Sequence, residues 1–431
     1  PPIRFNQDVR PILSDKCFFC HGPDDQHREA DLRLDEQESA HGVAVIPGQP
    51  DESELMARVF EEDPELRMPP ADSGKTLTQD EIKILRRWIA EGAVYEPYWA
   101  YAPPQTKLPP HHAAAQADEP EASSIDVFVR ARIGTGPLKP SPRAQKRSLL
   151  RRLSLDLVGL PPSFEEVQRF EADPHPDAYV RRVDELLASP AFGEHFAEYW
   201  LDLVRFADTV GYHGDQTHNV APYRDYVIDS LNDDIPLDQF SREQLAGDLL
   251  ENPSIEQVVA SCYNRLLQTS HEGGVQPKEY IAIYAADRVR NFSSVWMAAT
   301  VGCAQCHDHK YDPYSSKDFY SLAAFFADVD DEKHFKNGTN NLPTRREPEI
   351  DVLGRTDRLR LAALEEQLRQ AEAESQEDSQ SGDPAEIDRL KQLQQEIDQI
   401  NARKQRTMIT KAMEPRVVRF LPRGNWLDDS G

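Results

Sequence analysis

Apolar residues recur at helical spacing along most of this chain. Ile82, Leu85, Trp88 and Ile89 lie three and four residues apart, which places them on one helix face. Thr78 precedes them with Glu81 three residues on, the signature of a capping box, and Gly92 supplies a C-terminal stop. The spacing predicts a helix over 78–91. The same period marks Ser148–Leu160, Pro162–Glu171, Ala178–Ala188, Phe192–Ala207, Tyr223–Leu231, Ser241–Leu250, Glu279–Thr300 and Asp318–Phe326, with Gly- and Pro-rich loops between them. Leu361, Leu364 and Leu368 form one short apolar seam. Ile387, Leu390, Leu393, Ile397 and Ile400 form another, and the polar stretch Ser375–Pro384 separates the two. That pattern predicts an antiparallel helical hairpin with a coiled-coil seam over 357–406; a solvated pair of charged helices is the competing reading. Residues 415–424 (PRVVRFLPRG) read as a strand. The expected fold class is mainly α.

These elements group into four stretches. Residues 1–100 read as a compact helical unit, and 101–124, rich in Pro, Ala and His, as a linker. Residues 125–335 read as a larger helical domain. Residues 336–431 are an extension holding the hairpin and the terminal strand. His111-His112 in the linker could be read as a metal tract, but a flexible spacer is the favoured reading.

Composition narrows the partners. The 431 residues suffice for two or three domains. With 49 basic and 75 acidic residues the formal charge is −26, which argues against nucleic acid or an anionic membrane as the main partner. A hydrophobic content of 39% is low but adequate for packed domains at this length. No run of 18 apolar residues is present, so no membrane-spanning helix is expected.

The chemistry lies in two copies of one motif. Cys17-Phe18-Phe19-Cys20-His21 and Cys303-Ala304-Gln305-Cys306-His307 are both Cys-x-x-Cys-His, the attachment signal for c-type haem. The spacing suits two thiols adding to the two vinyl groups while the adjacent His turns onto the iron. The chain has five cysteines, and these motifs use four of them. A disulfide or half of a zinc site is the alternative for each motif, and a zinc site would need a second pair of ligands. Two covalent haems c are therefore expected. Cys17, Cys20, Cys303 and Cys306 would be the attachment residues, and His21 and His307 the proximal ligands. Haem c is attached outside the cytoplasm, so the protein is expected to be exported, to the periplasm or beyond. The opening Pro1-Pro2-Ile3-Arg4-Phe5 then reads as a mature or trimmed terminus without its signal peptide. Cys262, the odd cysteine, is expected to be a buried small hydrophobe.

A second axial ligand completes a relay haem. Met68 lies in Arg67-Met68-Pro69-Pro70, extended because of the prolines, between the first motif and helix 78–91. That order, motif then Met loop then helix, is the order of a class I cytochrome c. A thioether ligand raises the potential and favours electron transfer. Met68 is the favoured ligand, with core packing as its alternative role; Met56, in the helical stretch Ser53–Phe60, is the competing sulfur, and His27 and His41 are further alternatives. For the second haem, His309 is too close to His307 to reach the opposite iron face, and Met297 reads as packing. Two polar loops, Gly211–His218 and Thr269–Gly274, hold His271 and His213, the first and second choices for a distal ligand. An open distal face is an equal alternative to either. His213, Asp215 and His218 could alternatively hold a metal, or simply cap helices and make turns.

At this level the chain resembles a known family. FNQDVRPILSDKCFFCHGP, the RMPP loop and LTQDEIKILRRWIAEGA resemble the planctomycete-type cytochrome c domain. RRLSLDLVGLPP, YWLDLVRFADTVGYHGD, YRDYVIDSLNDDIPLDQFSREQLAGDLL, EGGVQPKEYIAIYAADRVRN and VGCAQCHDHKYDP resemble the domain of unknown function that commonly follows it. The resemblance implies an exported bacterial protein. It also implies a further C-terminal domain or companion chain, which is absent here.

Two functions from different classes follow. One is a dihaem c-type cytochrome relaying electrons between redox partner proteins. The other is a haem-dependent oxidoreductase acting on an extracytoplasmic substrate, a carbohydrate among the candidates, with the first haem as electron exit; no catalytic residue is assigned. A structural module organised by the hairpin is a third reading, and an oligomer is left open.

Overall fold

A computed structural model describes residues 2–25, 27–103, 124–133, 139, 141–211, 215–270, 276–331, 333, 346–377, 384–428 and 430–431. The backbone divides into two compact units. Unit one is Pro1–Gln145 with His307–Ser315, and unit two is Lys146–Cys306 with Ser316–Gly431. Both are built mainly of helices, as the apolar spacing predicts.

In unit one a π-helical turn, Phe5–Val9, leads into α1 (Arg10–Lys16) and α2 (Phe18–His21). The short α3 (Gln37–Ala40) and α4 (Glu54–Phe60) follow, then α5 (Gln79–Ala90) and α6 (Ser124–Ile133). The capping box of α5 forms as expected: Glu81 N–H donates to Thr78 Oγ1 at 3.2 Å and Thr78 N–H to Glu81 Oε2 at 2.6 Å. The apolar face of α5 packs Leu85, Trp88 and Ile89 against Phe5, Val9 and Leu13. Each such side chain contributes about 1.5–3 kcal/mol on burial. Phe5, Trp88 and Tyr95 form an aromatic cluster with ring centroids 4.3 to 5.6 Å apart. This cluster pins the start of the chain to the end of α5.

Unit two opens with α7 (Lys146–Val158), α8 (Phe164–Ala172), α9 (Ala178–Leu187) and α10 (Pro190–Leu203). It continues with α11 (Ala221–Asn232), α12 (Leu237–Ala246), α13 (Ile255–Ala260), α14 (Pro277–Trp296) and α15 (Ser316–Ala324). Gly193 lets α10 approach α11 closely, since a Cβ there would lie 2.5 Å from the Ile228 carbonyl oxygen. The core gathers Val220, Tyr223, Val227, Phe240 and Leu266. Cys262 is fully buried among them, and burial pushes its thiol pKa up to about 12. It behaves as the small hydrophobe expected.

The extension is a clamp. Strand β1 (Glu349–Val352) leads into α16 (Arg355–Glu377); α17 (Pro384–Asn401) returns to β2 (Gln405–Met408). The strands pair antiparallel, Glu349 opposite Met408 and Val352 opposite Gln405, and so close the base of the hairpin. Leu364, Ile397 and Ile400 are buried in its seam. Arg360 pairs with Glu396 and Arg403 with Asp357, each at 3.0 Å, a pattern only antiparallel helices allow.

Three local expectations need correction. The strand is not at 415–424: residues 415–421 carry no ladder and Pro422–Gly424 is a 3-10 turn. Pro415 and Pro422 lack the N–H a ladder needs, so 411–416 runs beside 327–331 through isolated contacts such as Met413 N–H to the Asp328 carbonyl at 2.9 Å. The helix expected from Ser241 begins at Leu237, just after Pro236. The six-residue α13, with its own Ser254/Gln257 capping box, was too short for the apolar period to reveal.

Candidate haem sites

The first motif lies on a helical corner. Cys17 ends α1, and α2 carries Cys20 and His21. Gly22 follows because a Cβ there would lie 2.2 Å from the Phe18 carbonyl oxygen. Cys17, His21 and Met68 all line one cavity of about 310 Å³. Its other walls include Leu32, Leu34, Leu55, Val59, Leu77 and Leu85. This lining suits a haem: it is mainly apolar, with a thiol, an imidazole and a thioether among its side chains. His21 Nδ1 is buried with no hydrogen bond. Burial lowers the His21 pKa, against the pull of the Glu29 carbonyl and carboxylate. A buried neutral imidazole short of partners suits a ligand role. The residues present therefore fit haem c.

Met68 is held in place by a residue the sequence reading did not single out. Met68 N–H donates to the Arg58 carbonyl at 2.9 Å, and Arg58 Nη1 donates to the Leu66 carbonyl at 3.3 Å. Arg58 is in turn fixed by Glu54 at 2.7 Å, one helical turn back. The (i, i+4) Glu54–Arg58 pair was visible in the sequence, but the reach from Arg58 to the Met68 loop was not. The competitors for this iron lie elsewhere. Met56 is buried in the core on α4. His41 Nε2 is 3.1 Å from the Ala93 carbonyl oxygen, and His27 Nδ1 is 2.9 Å from Asp24 Oδ2; neither lines the cavity.

The second pair of cysteines sits on a 3-10 turn, Val301–Gln305, after α14. Cys303 and Cys306 are exposed free thiols, and none of the five cysteines is in a disulfide. Gly302 passes under Arg290, whose Cγ would lie 2.5 Å from an added Cβ; Arg290 Nη2 also donates to Gln305 Oε1. Gly424 (φ 71°) lies over Cys306, with an added Cβ 3.0 Å from Sγ. Beside this turn a cavity of about 620 Å³ is walled by Ile281, Ala285, Phe319, Phe326 and Val418, with Gln305 at its edge.

In unit one, His307 Nδ1 lies 2.6 Å from the Asp308 carbonyl oxygen. A carbonyl only accepts, so Nδ1 carries the proton and Nε2 presents a lone pair, the tautomer for binding iron. His309 has a different task. Its Nδ1 accepts the N–H groups of Tyr311 and Asp312 at 3.2 and 2.9 Å, and its own N–H donates to the Tyr314 carbonyl at 2.8 Å. It is the hub of the 309–314 turn, and burial lowers its pKa.

His271 and His213 lie outside the described residues. Of the first loop, Gly211, Asp215 and His218 line a cavity of about 460 Å³, together with the flanking residues 209–210 and 266–268; it shares no lining residue with the 620 Å³ cavity. Among the described residues no three His, Cys, Asp or Glu side chains group as a metal site.

With this geometry in view the comparisons are specific. Residues 17–72 match the family described as planctomycete cytochrome C, and residues 124–331 match a protein of unknown function (DUF1549). The two matches follow one another along the chain, the region similar to planctomycete cytochrome C first and the region similar to the domain of unknown function second. The first family implies covalently bound haem c, and its domains are typically exported. Among the described residues no helix is long and apolar enough to cross a membrane. No curated protein and no solved structure matches the chain.

Proposed function

We propose that this protein is a dihaem c-type cytochrome that relays single electrons between redox partner proteins in the periplasm or outside the cell. The observation that carries this reading is the convergence of Cys17, His21 and Met68 on one apolar cavity. When bound, haem c supplies a one-electron couple. Cys17 and Cys20 would tether it, and His21 and Met68 would supply its iron ligands. The thioether of Met68 and the leucine-lined walls both favour the less charged, reduced state and so raise the potential. Cys303 and Cys306 tether the second group, with His307 offering Nε2. The chain's formal charge of −26 favours basic partners.

A second reading is favoured by the 620 Å³ cavity beside the second pair of cysteines, which could admit a substrate. On that reading the protein is a haem-dependent oxidoreductase, and the first site is the electron exit. The spin state of the second haem separates the two: low spin supports the relay, and high spin the enzyme. The shared premise is tested by intact mass under denaturing conditions. The full chain should carry two haems, and the Cys303→Ala/Cys306→Ala variant one. A wild-type mass with one haem or none would overturn the dihaem assignment.

A further inference from the structure

Unit two contains a fully buried arginine with no partner, among the described residues, for any nitrogen of its side chain. Arg346 is 1% exposed, and its Nε, Nη1 and Nη2 all lack a hydrogen bond. Burial lowers its pKa to about 10, which still leaves it charged at neutral pH. An uncompensated buried charge is among the most costly features a fold can hold.

The surroundings show that this is not loose packing. The backbone of Arg346 is fixed on both sides: its N–H donates to Glu349 Oε1 at 2.8 Å, and its carbonyl accepts from Arg265 Nη2 at 2.8 Å. The neighbouring buried arginines are satisfied. Arg265 also donates to the carbonyls of Glu347, Pro348 and Ile409, and Arg288 takes Asp331 in a two-bond fork at 2.6 and 2.7 Å. Glu349 attracts Arg346 without bonding its guanidinium. One carboxylate oxygen is taken by the Arg346 N–H and by Asn219 Nδ2 at 3.4 Å; the other is buried, has no hydrogen bond, and faces Arg406 Nε at 3.9 Å.

Other unsatisfied groups lie in the same neighbourhood. His218, within electrostatic reach of Arg346, is 6% exposed. Its Nε2 is 2.6 Å from the Ala207 carbonyl oxygen, so Nε2 carries the proton and the buried, unpartnered Nδ1 is a lone-pair acceptor. Tyr284, also within reach of Arg346, accepts the Ser270 N–H at 3.1 Å. The preceding Thr269 has a buried Oγ1 without a partner. The 460 Å³ cavity reaches His218 and gives a small molecule room to enter.

The chemistry of these groups selects a ligand. A metal cation would be repelled by the guanidinium, and an apolar molecule would leave its charge unpaired. An oxyanion can accept the guanidinium fork with two parallel bonds. The Nδ1 lone pair of His218 then calls for a hydroxyl on the same molecule. We propose that Arg346, with His218 and Thr269 beside it, forms a binding site for a small hydroxycarboxylate. This inference is independent of how many haems the chain carries.

The test is thermal unfolding of the full haem-loaded chain in gluconate, acetate, sulfate or chloride at matched ionic strength. Gluconate should raise the melting temperature saturably, and more than acetate or sulfate. Arg346→Met should raise the melting temperature in chloride, because the unpaired charge is gone, and weaken gluconate binding by at least roughly thirtyfold, the lower end of what losing a buried charged partner costs. Arg346→Lys, which keeps the charge but not the fork, provides the same comparison if the methionine variant does not fold. Equal melting temperatures in all four salts would overturn the proposal, as would a gluconate response that survives both substitutions. So would a response seen only after Cys303 and Cys306 are replaced by Ala, because that would assign Arg346 to a haem propionate.

Discussion

Replacing Asp331 by Asn should destabilise unit two severely although it changes almost no volume. Arg288 and Asp331 side chains are each 3% exposed and bonded twice. Burial alone would push the Asp331 carboxyl pKa up, but Arg288, Arg265 and Arg416 more than offset this and hold it below the ordinary value. The substitution leaves Arg288 buried with no counter-charge, and breaking such a pair from one side costs about 3–5 kcal/mol. In a domain of this size each kcal/mol moves the melting temperature by about 2–4 °C, so a fall of at least roughly 6 °C is expected in circular dichroism at 222 nm. The double variant Arg288→Met/Asp331→Leu should recover most of the loss, since two apolar groups of similar size need no pairing. The pH dependence has a definite sign. A depressed carboxyl pKa stabilises the fold fully above the unfolded value, near pH 4, and loses that stability as pH falls through the folded value. The gap between wild type and Asp331→Asn should therefore be constant from pH 5 to 8 and narrow below pH 4. A single variant within about 1 kcal/mol of wild type at pH 7 would refute the reasoning, as would a double variant no better than the single one.

Met68→Ala should lower the potential of the first haem and abolish any sulfur-to-iron charge-transfer band; an unchanged spectrum would remove Met68 from the iron. Arg58→Ala keeps the thioether and the backbone bond to the Met68 N–H but removes the guanidinium bond to the Leu66 carbonyl, so the loop loosens and the same band should weaken without vanishing, with the haem content unchanged. Thr78→Ala removes the α5 cap and should cost about 1 kcal/mol in denaturant unfolding of unit one. Leu364→Ala opens the hairpin seam at a fully buried position and should cost about 2–5 kcal/mol, seen as loss of helical signal from α16 and α17.

The sequence was most informative where one element carried its own evidence. Helix α5 showed its apolar face, its cap and its stop within fifteen residues, and the structure places each where the spacing puts it. The hairpin was readable for the same reason, from the repeat of Leu364 and Ile397 with their neighbours. What closes the hairpin was not. Strand β1, Glu349-Ile350-Asp351-Val352, alternates over only four residues, too few to stand out, and β2, Gln405-Arg406-Thr407-Met408, shows no alternation of apolar and polar residues. Their pairing depends on α16 and α17 bringing them together, with Arg406 meeting Asp351 at 3.0 Å across the ladder. The apolar run Val417-Val418 looked more like a strand than either, yet the flanking prolines deny it a ladder.

The candidate sites divide along the same line. Cys-x-x-Cys-His is local chemistry, and Met68 could be inferred because the order of motif, loop and helix constrains where a second ligand can come from. Arg58 and Arg346 could not be inferred, because their meaning lies in what they meet or fail to meet across the fold. Arg58 is one of many surface arginines until its guanidinium reaches the Leu66 carbonyl in the Met68 loop. Arg346 stands beside Arg345 in an unremarkable polar stretch, and only burial without a partner distinguishes it. A motif search finds residues that act on a group in the pattern nature repeats. A buried charge left unpaired beside other unsatisfied groups points to a ligand that no motif names, and that is why the second domain's chemistry is better sought where Arg346 meets His218 and Thr269, at the ends of the polar loops, than at the histidines inside them.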